Sequence, residues 1–153
     1  MSLITAAIKG RLDDVKRLVS AGVDLEERGE YDWTALMWAA GEGHIDIVRY
    51  LIQAGADVNA NDYNVAGDTV LIAGIRSVEI VKLLLDAGAD VNQVLECCSS
   101  ALMHAAKRAC LDVVKLLVAA GADTSFCDYK GRTALSVARE NKKWDVASFL
   151  EKL

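Results

Sequence analysis

Apolar residues fall in short clusters with helical spacing, and the clusters recur at one fixed interval of 33 residues. Four of them read "VKRLV", "IVRYLI", "IVKLLL" and "VVKLLV". The leucines that mark the interval are Leu18, Leu51, Leu84, Leu117 and Leu150. An acidic column, Asp13, Asp46, Glu79, Asp112 and Asp145, follows the same interval. A constant period of this length predicts a stacked array of similar units.

Each unit reads as two helices and a loop, as in "DWTALMWAAGEGHIDIVRYLIQAGADVN". Thr34 is a good N-cap, because its hydroxyl can accept from an unpaired amide of the first turn. Residues 35–41 then form a short first helix of small and apolar residues. Asp46 begins the second helix, where its charge suits the positive helix end. Gly55 ends that helix in a left-handed conformation, which favours glycine.

The phrases "AGVD" and "AGAD" place Gly22, Gly55, Gly88 and Gly121 at the same interval, and "GHIDIVRYLIQAGADVNAND" carries the fullest motif. This pattern resembles the ankyrin repeat. The resemblance implies an all-α, ankyrin-repeat solenoid of helix-turn-helix units with short finger loops. It divides the chain into a single domain, 1–153, with an N-terminal capping repeat 1–28, repeats 29–61, 62–94 and 95–127, and a C-terminal capping repeat 128–153.

Polar residues replace apolar ones at both ends of this division, as expected where a terminal repeat exposes one face. These replacements are Asp14 and Arg17 near the start, and Arg139 and Glu151 near the end. We therefore expect a bounded stack.

The sequence also departs from the family motif: it contains no proline, and Met37, Ile72, Met103 and Ser136 stand at the position of the motif histidine. Hydroxyl N-caps are expected to stabilise the helix starts instead.

The third unit has unusual spacing. From Asp57 to Thr69 there are 12 residues, where the other units have 10, and from Thr69 to Gly88 there are 19, where others have 21. The finger is thus two residues longer and the first helix, predicted over residues 70–76, is shorter. A functional notch and neutral drift both explain this. The kinase-inhibitory ankyrin proteins also have one shortened helix, although theirs lies in the second unit.

Composition restricts the class of protein. Hydrophobic residues make up 53% and charged residues 25%, which is enough for a packed core. No apolar run approaches a membrane span, and the N-terminus lacks the features of a secretion signal. Cys97, Cys98, Cys110 and Cys127 have no zinc spacing and indicate reduced thiols. The sequence therefore predicts a cytoplasmic protein and a monomer.

Charge is distributed unevenly. Residues 1–98 carry 8 Lys and Arg against 16 Asp and Glu, whereas residues 99–153 carry 9 against 6. The net charge of −5 disfavours nonspecific nucleic-acid binding. We expect a protein partner, with no nucleic acid and no membrane, whose charge gradient is opposite to that of the chain.

Few residues suggest catalysis. His44 lies in "GEGH", where the family uses histidine for turn packing, and His104 follows in a first helix. Neither has a sequence context that supplies a nucleophile or base partner, so we predict no enzyme activity and no cofactor. A remote alternative is a metal or redox site around Cys97, Cys98 and His104. Asn59 and Asn92 resemble asparagines that ankyrin proteins sometimes have hydroxylated, although a turn asparagine that bonds the backbone explains them as well.

The function that the resemblance implies is a non-catalytic protein-protein interaction module. Partners of the family usually dock on the concave face made by the fingers and the first, or inner, helices. By position this face contains Glu30, Tyr31, Trp33, Glu42, Tyr63, Asn64, Asp68, Arg76, Lys107, Arg108, Tyr129, Lys130 and Arg132. The same rule selects Lys9, Glu96, Cys97, Ser99, Glu140 and Asn141. Aromatic residues at finger tips are typical of interaction anchors. The alternative is a regulatory inhibitor of a specific enzyme, such as a kinase, that uses this face.

Overall fold

The computed structural model describes residues 1–62, 67–95, 99–108 and 110–153. Tyr63, Asn64, Glu96, Cys97 and Cys98, which the sequence placed at finger tips, lie outside the described residues. Within the described ranges the regular elements are helices, and the one β-bridge joins Asn61 to Thr69 in antiparallel fashion. The chain forms two compact units, Met1–Ala89 and Asp90–Leu153.

The described residues of the first unit form three helix pairs and one 3-10 turn. Its helices are α1 (Leu3–Ile8), α2 (Leu12–Ser20), α3 (Ala35–Glu42), α4 (Ile45–Gln53), α5 (Val70–Ala73) and α6 (Val78–Asp86), with η1 (Glu30–Asp32) before α3. Inner helices pack on inner helices, α1 on α3 and α3 on α5, and second helices pack in the same order. Small side chains such as Ala39 and Ala40, both buried, let the inner helices approach closely.

In the second unit, the residues that the structure describes form two helix pairs. They are α7 (Ala101–Arg108), α8 (Leu111–Ala119), α9 (Ala134–Glu140) and α10 (Trp144–Leu150). Helix α7 packs on α9, and α8 packs on α10. Leu102, Leu117 and Val114 are fully buried between these elements and form the core of this unit.

Hydroxyl N-caps begin the inner helices, as the sequence predicted. Thr34 and Thr69 each accept a hydrogen bond from the third amide of the helix, at 3.3 and 3.2 Å. Ser100 and Thr133 do the same for α7 and α9. Ser136, at the motif-histidine position, accepts from the Thr133 amide in return and completes a capping box. Side-chain hydroxyls therefore satisfy amides that would otherwise lack partners.

The second helices end as predicted. Gly55 follows α4 with φ of +94°, and Gly88 and Gly121 take the same conformation. The asparagines of the "ADVN" phrases then connect adjacent repeats. Asn92 accepts from the Asp123 amide at 2.8 Å and donates to the Gly121 carbonyl at 3.0 Å. These contacts support the structural interpretation of the asparagines.

Polar residues predicted at the two ends form ion pairs. Asp14 and Arg17 are 2.9 Å apart on α2. Arg139 and Glu151 are 2.6 Å apart, joining α9 to the end of α10. All four side chains keep contact with solvent, so these pairs make polar surfaces where other repeats bury apolar residues.

The altered third repeat differs from prediction. Its inner helix α5 covers only Val70–Ala73, a single turn, rather than residues 70–76. Gly74 caps the helix with φ of −80°, and its amide donates to the Val70 carbonyl. A Cβ at Gly74 would lie 2.6 Å from Ile80 Cγ2 on α6. The backbone at Gly74 therefore packs directly against the following helix, α6.

The turn glycine and histidine of the first unit pack together. His44 Nε2 lies 3.1 Å from the Ile8 carbonyl oxygen, and a Cβ at Gly10 would lie 2.7 Å from the His44 ring. His44 thus joins the turn after α3 to the turn after α1, which confirms its predicted packing role.

None of the helices within the described ranges has the length and apolar character to cross a membrane.

Candidate functional site

The first finger has a strained backbone. Tyr31 and Asp32 are consecutive non-glycine residues in the left-handed region, with φ of 61° and 62°. Such residues cost free energy and persist only where surrounding contacts impose them. Arg28 contacts this turn, because its Nη1 donates to the Asp32 carbonyl oxygen at 2.9 Å and to that of Asn61 at 2.6 Å. The Asp32 carboxylate lies 3.1 Å from the same nitrogen.

This finger and α3 present three aromatic rings, which we call the aromatic cluster: Tyr31, Trp33 and Trp38. The Trp33 and Trp38 ring centroids are 4.9 Å apart with an interplanar angle of 56°, and Tyr31 lies 6.2 Å from Trp38. Tyr31 is 71% exposed. Trp33 is half-buried, with its ring over Gly41. The cluster therefore has a packed base and an exposed edge.

Two features of the aromatic cluster do not stabilise the free chain. The Trp38 Nε1–H is buried and meets no acceptor within the described residues. The left-handed Tyr31 carries backbone strain. Unmet donors and strained residues are uncommon in native folds and concentrate at functional sites. Glu30 and Glu42 are exposed on the same finger and helix, so the surroundings are acidic.

The second finger, which belongs to the third repeat and is two residues longer, is closed by the same type of backbone hydrogen bond as the first finger. The Asp62 amide donates to the Asp68 carbonyl, and the Asp68 amide donates to the buried Asp62 carboxylate. In the first finger the Gly29 amide donates to the Trp33 carbonyl in the same way. The two extra residues therefore lie between Asp62 and Asp68. Arg76, just past α5, is exposed as predicted for a surface residue.

The last finger is organised by one buried carboxylate. Asp128 Oδ1 accepts from the Lys130 and Arg132 amides at 2.9 Å each, while Oδ2 lies 2.7 Å from Arg132 Nη2. Burial alone would raise the pKa of Asp128, but the hydrogen bonds from the Arg132 side chain and these amides outweigh it and lower the pKa. This arrangement holds Tyr129 70% exposed, with Lys130 Nζ 5.4 Å from its ring centroid.

We expect Asp128→Asn to lower the melting temperature at pH 7, because the amide cannot replace the charge-assisted bonds to Arg132. A depressed carboxyl pKa stabilises the fold above the unfolded value of about 4 and loses that effect as pH falls through the folded pKa. The difference in melting temperature between wild type and Asp128→Asn should therefore disappear as the pH is lowered from 5 towards 3. Thermal melts at several pH values measure this, with exposed Asp86→Asn as control. A gap independent of pH would contradict the assignment.

Helix α7 and the last repeat form a pocket within the second unit. Met103 and Val137 make its apolar walls, and His104, Lys107, Arg132 and Asn141 surround its opening. We call it the basic pocket. Burial lowers the pKa of His104, and the neighbouring Arg108 and Lys107 charges lower it further. His104 is therefore neutral at pH 7 in the free chain.

The structure separates the predicted site residues into exposed side chains and side chains that are held by contacts within the chain. Tyr31 and Tyr129 are exposed tips, whereas Trp33 is half-buried and Arg132 is held by Asp128 and by Glu140 at 3.5 Å. Glu30, Glu42, Lys107, Arg108 and Lys130 are exposed, and Asp68 is half-buried in its finger.

Sequence reasoning missed Trp38 and Arg28. Trp38 has one available signal: it is the aromatic residue of α3, at a position followed by the small residues Ala39, Ala40 and Gly41. No sequence signal marks Arg28, because its role depends on a carbonyl oxygen 33 residues away. No three metal-ligating side chains come together in the part of the chain that the structure describes.

The chain has paired short helices, left-handed glycines at constant spacing where helices end, and projecting fingers. These features define a helical repeat protein. Its candidate residues lie on the surface rather than in a deep cleft. A family model described as ankyrin repeats, in three copies, matches residues 3–95 and 73–152. The chain belongs to the ankyrin-repeat family. Domains of this family are generally protein-protein interaction modules and typically lack enzyme activity. No curated protein matches the chain.

Proposed function

We propose that the chain is a non-catalytic binding module for another protein, which it contacts through its fingers and inner helices. The single observation that carries the proposal is the aromatic cluster, where strain, an unmet donor and an exposed tyrosine coincide. Aromatic residues with a packed base lose little conformational freedom on binding and are enriched among binding hot spots. In each unit the exposed finger tyrosine is the proposed anchor, Tyr31 in the first and Tyr129 in the second.

The remaining elements of the proposal follow from the sequence. We propose a cytoplasmic monomer of five repeats with the boundaries predicted above. A net charge of −5 disfavours nucleic acid as the partner. An inhibitor of a specific enzyme, such as a kinase, is the second candidate. The single-turn α5 is the observation that bears on it, because the kinase-inhibitory ankyrin proteins also have one shortened inner helix, although theirs lies in the second unit and this one in the third.

The test is capture of partners with wild type and with Tyr31→Asn and Tyr129→Ala, followed by affinity measurement on the protein identified. Asparagine tolerates the left-handed backbone of Tyr31 and so removes the ring alone. We expect each variant to bind at least about 2 kcal/mol more weakly, while its stability changes by about 0.5 kcal/mol or less.

Trp144→Ala is the matched control, since Trp144 is a 64% exposed aromatic residue on a second helix. It should retain wild-type affinity. Equal affinity for all three variants would overturn the proposed surface. A captured enzyme whose turnover falls when the chain binds would select the inhibitor alternative, and unchanged turnover would reject it.

A further inference from the structure

We propose that the basic pocket of the second unit binds an acidic side chain of the partner, a glutamate or aspartate in an exposed segment. This inference rests on the proposed function and specifies the chemistry of one contact. The pocket combines apolar walls, from Met103 and Val137, with a cationic and hydrogen-bonding opening. A carboxylate carried on a short aliphatic stem has the matching form, an apolar stem and an anionic end.

Within the described residues, two of the cations at or beside this pocket have no carboxylate partner. Lys107 and Arg108 are both exposed at the end of α7, and neither forms a salt bridge within the described residues. Arg132 differs, because Asp128 and Glu140 already contact it. Lys107 and Arg108 therefore add to a local positive field beside His104. Charges left unpaired in a free protein, next to a pocket, are typical of complementarity to a partner of opposite sign.

A nucleic acid fits this site less well than a peptide carboxylate. Polyanion binding uses extended stripes of Lys and Arg that neutralise many phosphates. Here the second unit is nearly balanced, with nine Lys and Arg against eight Asp and Glu. The pocket is also small, with a volume near 370 Å³ that includes its open mouth. One or two side chains fill such a site.

Binding at this site is expected to take up a proton. Lys107 and Arg108, on its own helix, contribute positive charge at His104. Arg132 of the last repeat lines the same pocket, with Glu140 3.5 Å from the Arg132 guanidinium. An anion that enters the pocket offsets the positive charges and favours protonated His104. Affinity should therefore rise as pH falls through the range where His104 gains its proton, and decline again when the ligand carboxylate itself is protonated at about pH 4.

The probe is a short oligoglutamate peptide, acetylated and amidated, titrated against the full chain while the two histidine ring signals are followed by NMR. We expect the His104 signals to shift and those of His44, in the first unit, to stay in place. An oligoglutamine peptide of equal length should shift neither. The Lys107→Ala/Arg108→Ala variant should bind oligoglutamate about tenfold more weakly or worse, since charge-assisted bonds are lost.

Lys115→Ala/Lys152→Ala removes the same charge from exposed positions of the same unit and is the matched control. It should change affinity by less than about twofold, because charges distant from the ligand are screened. His104→Gln should abolish the rise in affinity at lower pH, whereas Lys115→Ala/Lys152→Ala should retain that rise. An equal loss in both double variants, or tighter binding of a single-stranded DNA of matched charge, would overturn the inference.

The outcome separates this inference from the proposed function. If oligoglutamate leaves the His104 signals unmoved while Tyr31→Asn and Tyr129→Ala still release a captured partner, the pocket inference fails and the binding module stands. If the peptide binds at His104 but neither tyrosine variant weakens a partner, the proposed finger surface fails and the pocket stands as the binding site.

Discussion

Gly74→Ala should lower the free energy of unfolding by about 1–3 kcal/mol, the usual cost of forcing an added methyl group into a packed core. Its new Cβ would lie 2.6 Å from Ile80 Cγ2 and 3.5 Å from Ala40 Cβ. Ile80 is fully buried, so it cannot move into solvent. Helix propensity alone predicts the opposite sign, because alanine is favoured over glycine in helices by about 1 kcal/mol. Denaturant unfolding of the two proteins decides between these expectations.

A double-mutant cycle with Ile80→Ala identifies the cause. Ile80→Ala alone should cost about 2–5 kcal/mol, as large-to-small changes in cores do. Once the Ile80 side chain is truncated, the methyl group of Gly74→Ala no longer meets Cγ2 and should be neutral or stabilising. The double variant should therefore lose less stability than the sum of the two single variants, by on the order of 1 kcal/mol or more. Additive effects would show that Gly74 acts through its own backbone and not through the close approach of α6.

Arg28→Met should destabilise the first unit by about 1.5–3 kcal/mol, the range measured for hydrogen bonds to charged groups. The change keeps an unbranched side chain and removes the contacts to the Asp32 and Asn61 carbonyl oxygens. Those contacts hold Tyr31 and Asp32 in the left-handed region, so the finger should relax and displace Tyr31 from Trp38. We therefore expect weaker partner binding together with a change in tryptophan fluorescence.

Arg49→Met is the matched control, because Arg49 belongs to the same unit and pairs with Glu79 on the surface. Exposed pairs contribute about 0–1 kcal/mol, so its loss should be small. Asp32→Gly should partly restore stability to Arg28→Met, since Gly131 occupies the equivalent position of the last finger with φ of +72°. If Arg28→Met and Arg49→Met lose equal stability, Arg28 does not hold the finger.

Local chemistry made much of the fold predictable. Thr34, Thr69, Ser100 and Thr133 cap helices because a hydroxyl and the third amide are close in sequence. Gly55, Gly88 and Gly121 end helices because a positive φ is a property of one residue. The constant interval made the repeats visible, since each unit must bury the same apolar faces against its neighbour. The shift of two residues within the third repeat could likewise be counted directly.

The candidate site was predictable only in part. Position within the repeat correctly marked Tyr31 and Tyr129 as exposed. It could not show that Trp33 lies against Trp38 and Gly41, because that contact joins a finger to the middle of a helix. Nor could it show that Arg132 is held by a buried carboxylate while Lys107 and Arg108 are left for other contacts.

By itself, the sequence determined the hydroxyl N-caps, the glycine ends of the second helices, the repeat interval and the family, because each depends on residues a few positions apart or on a strict period. Only the tertiary structure decided that α5 ends at Ala73 and that Ile80 approaches the Gly74 backbone closely. It also decided that Arg28 joins the Asp32 carbonyl to that of Asn61, a contact between residues 33 positions apart in sequence. Contacts between repeats depend on packing distances, and a linear pattern of residues does not contain those distances.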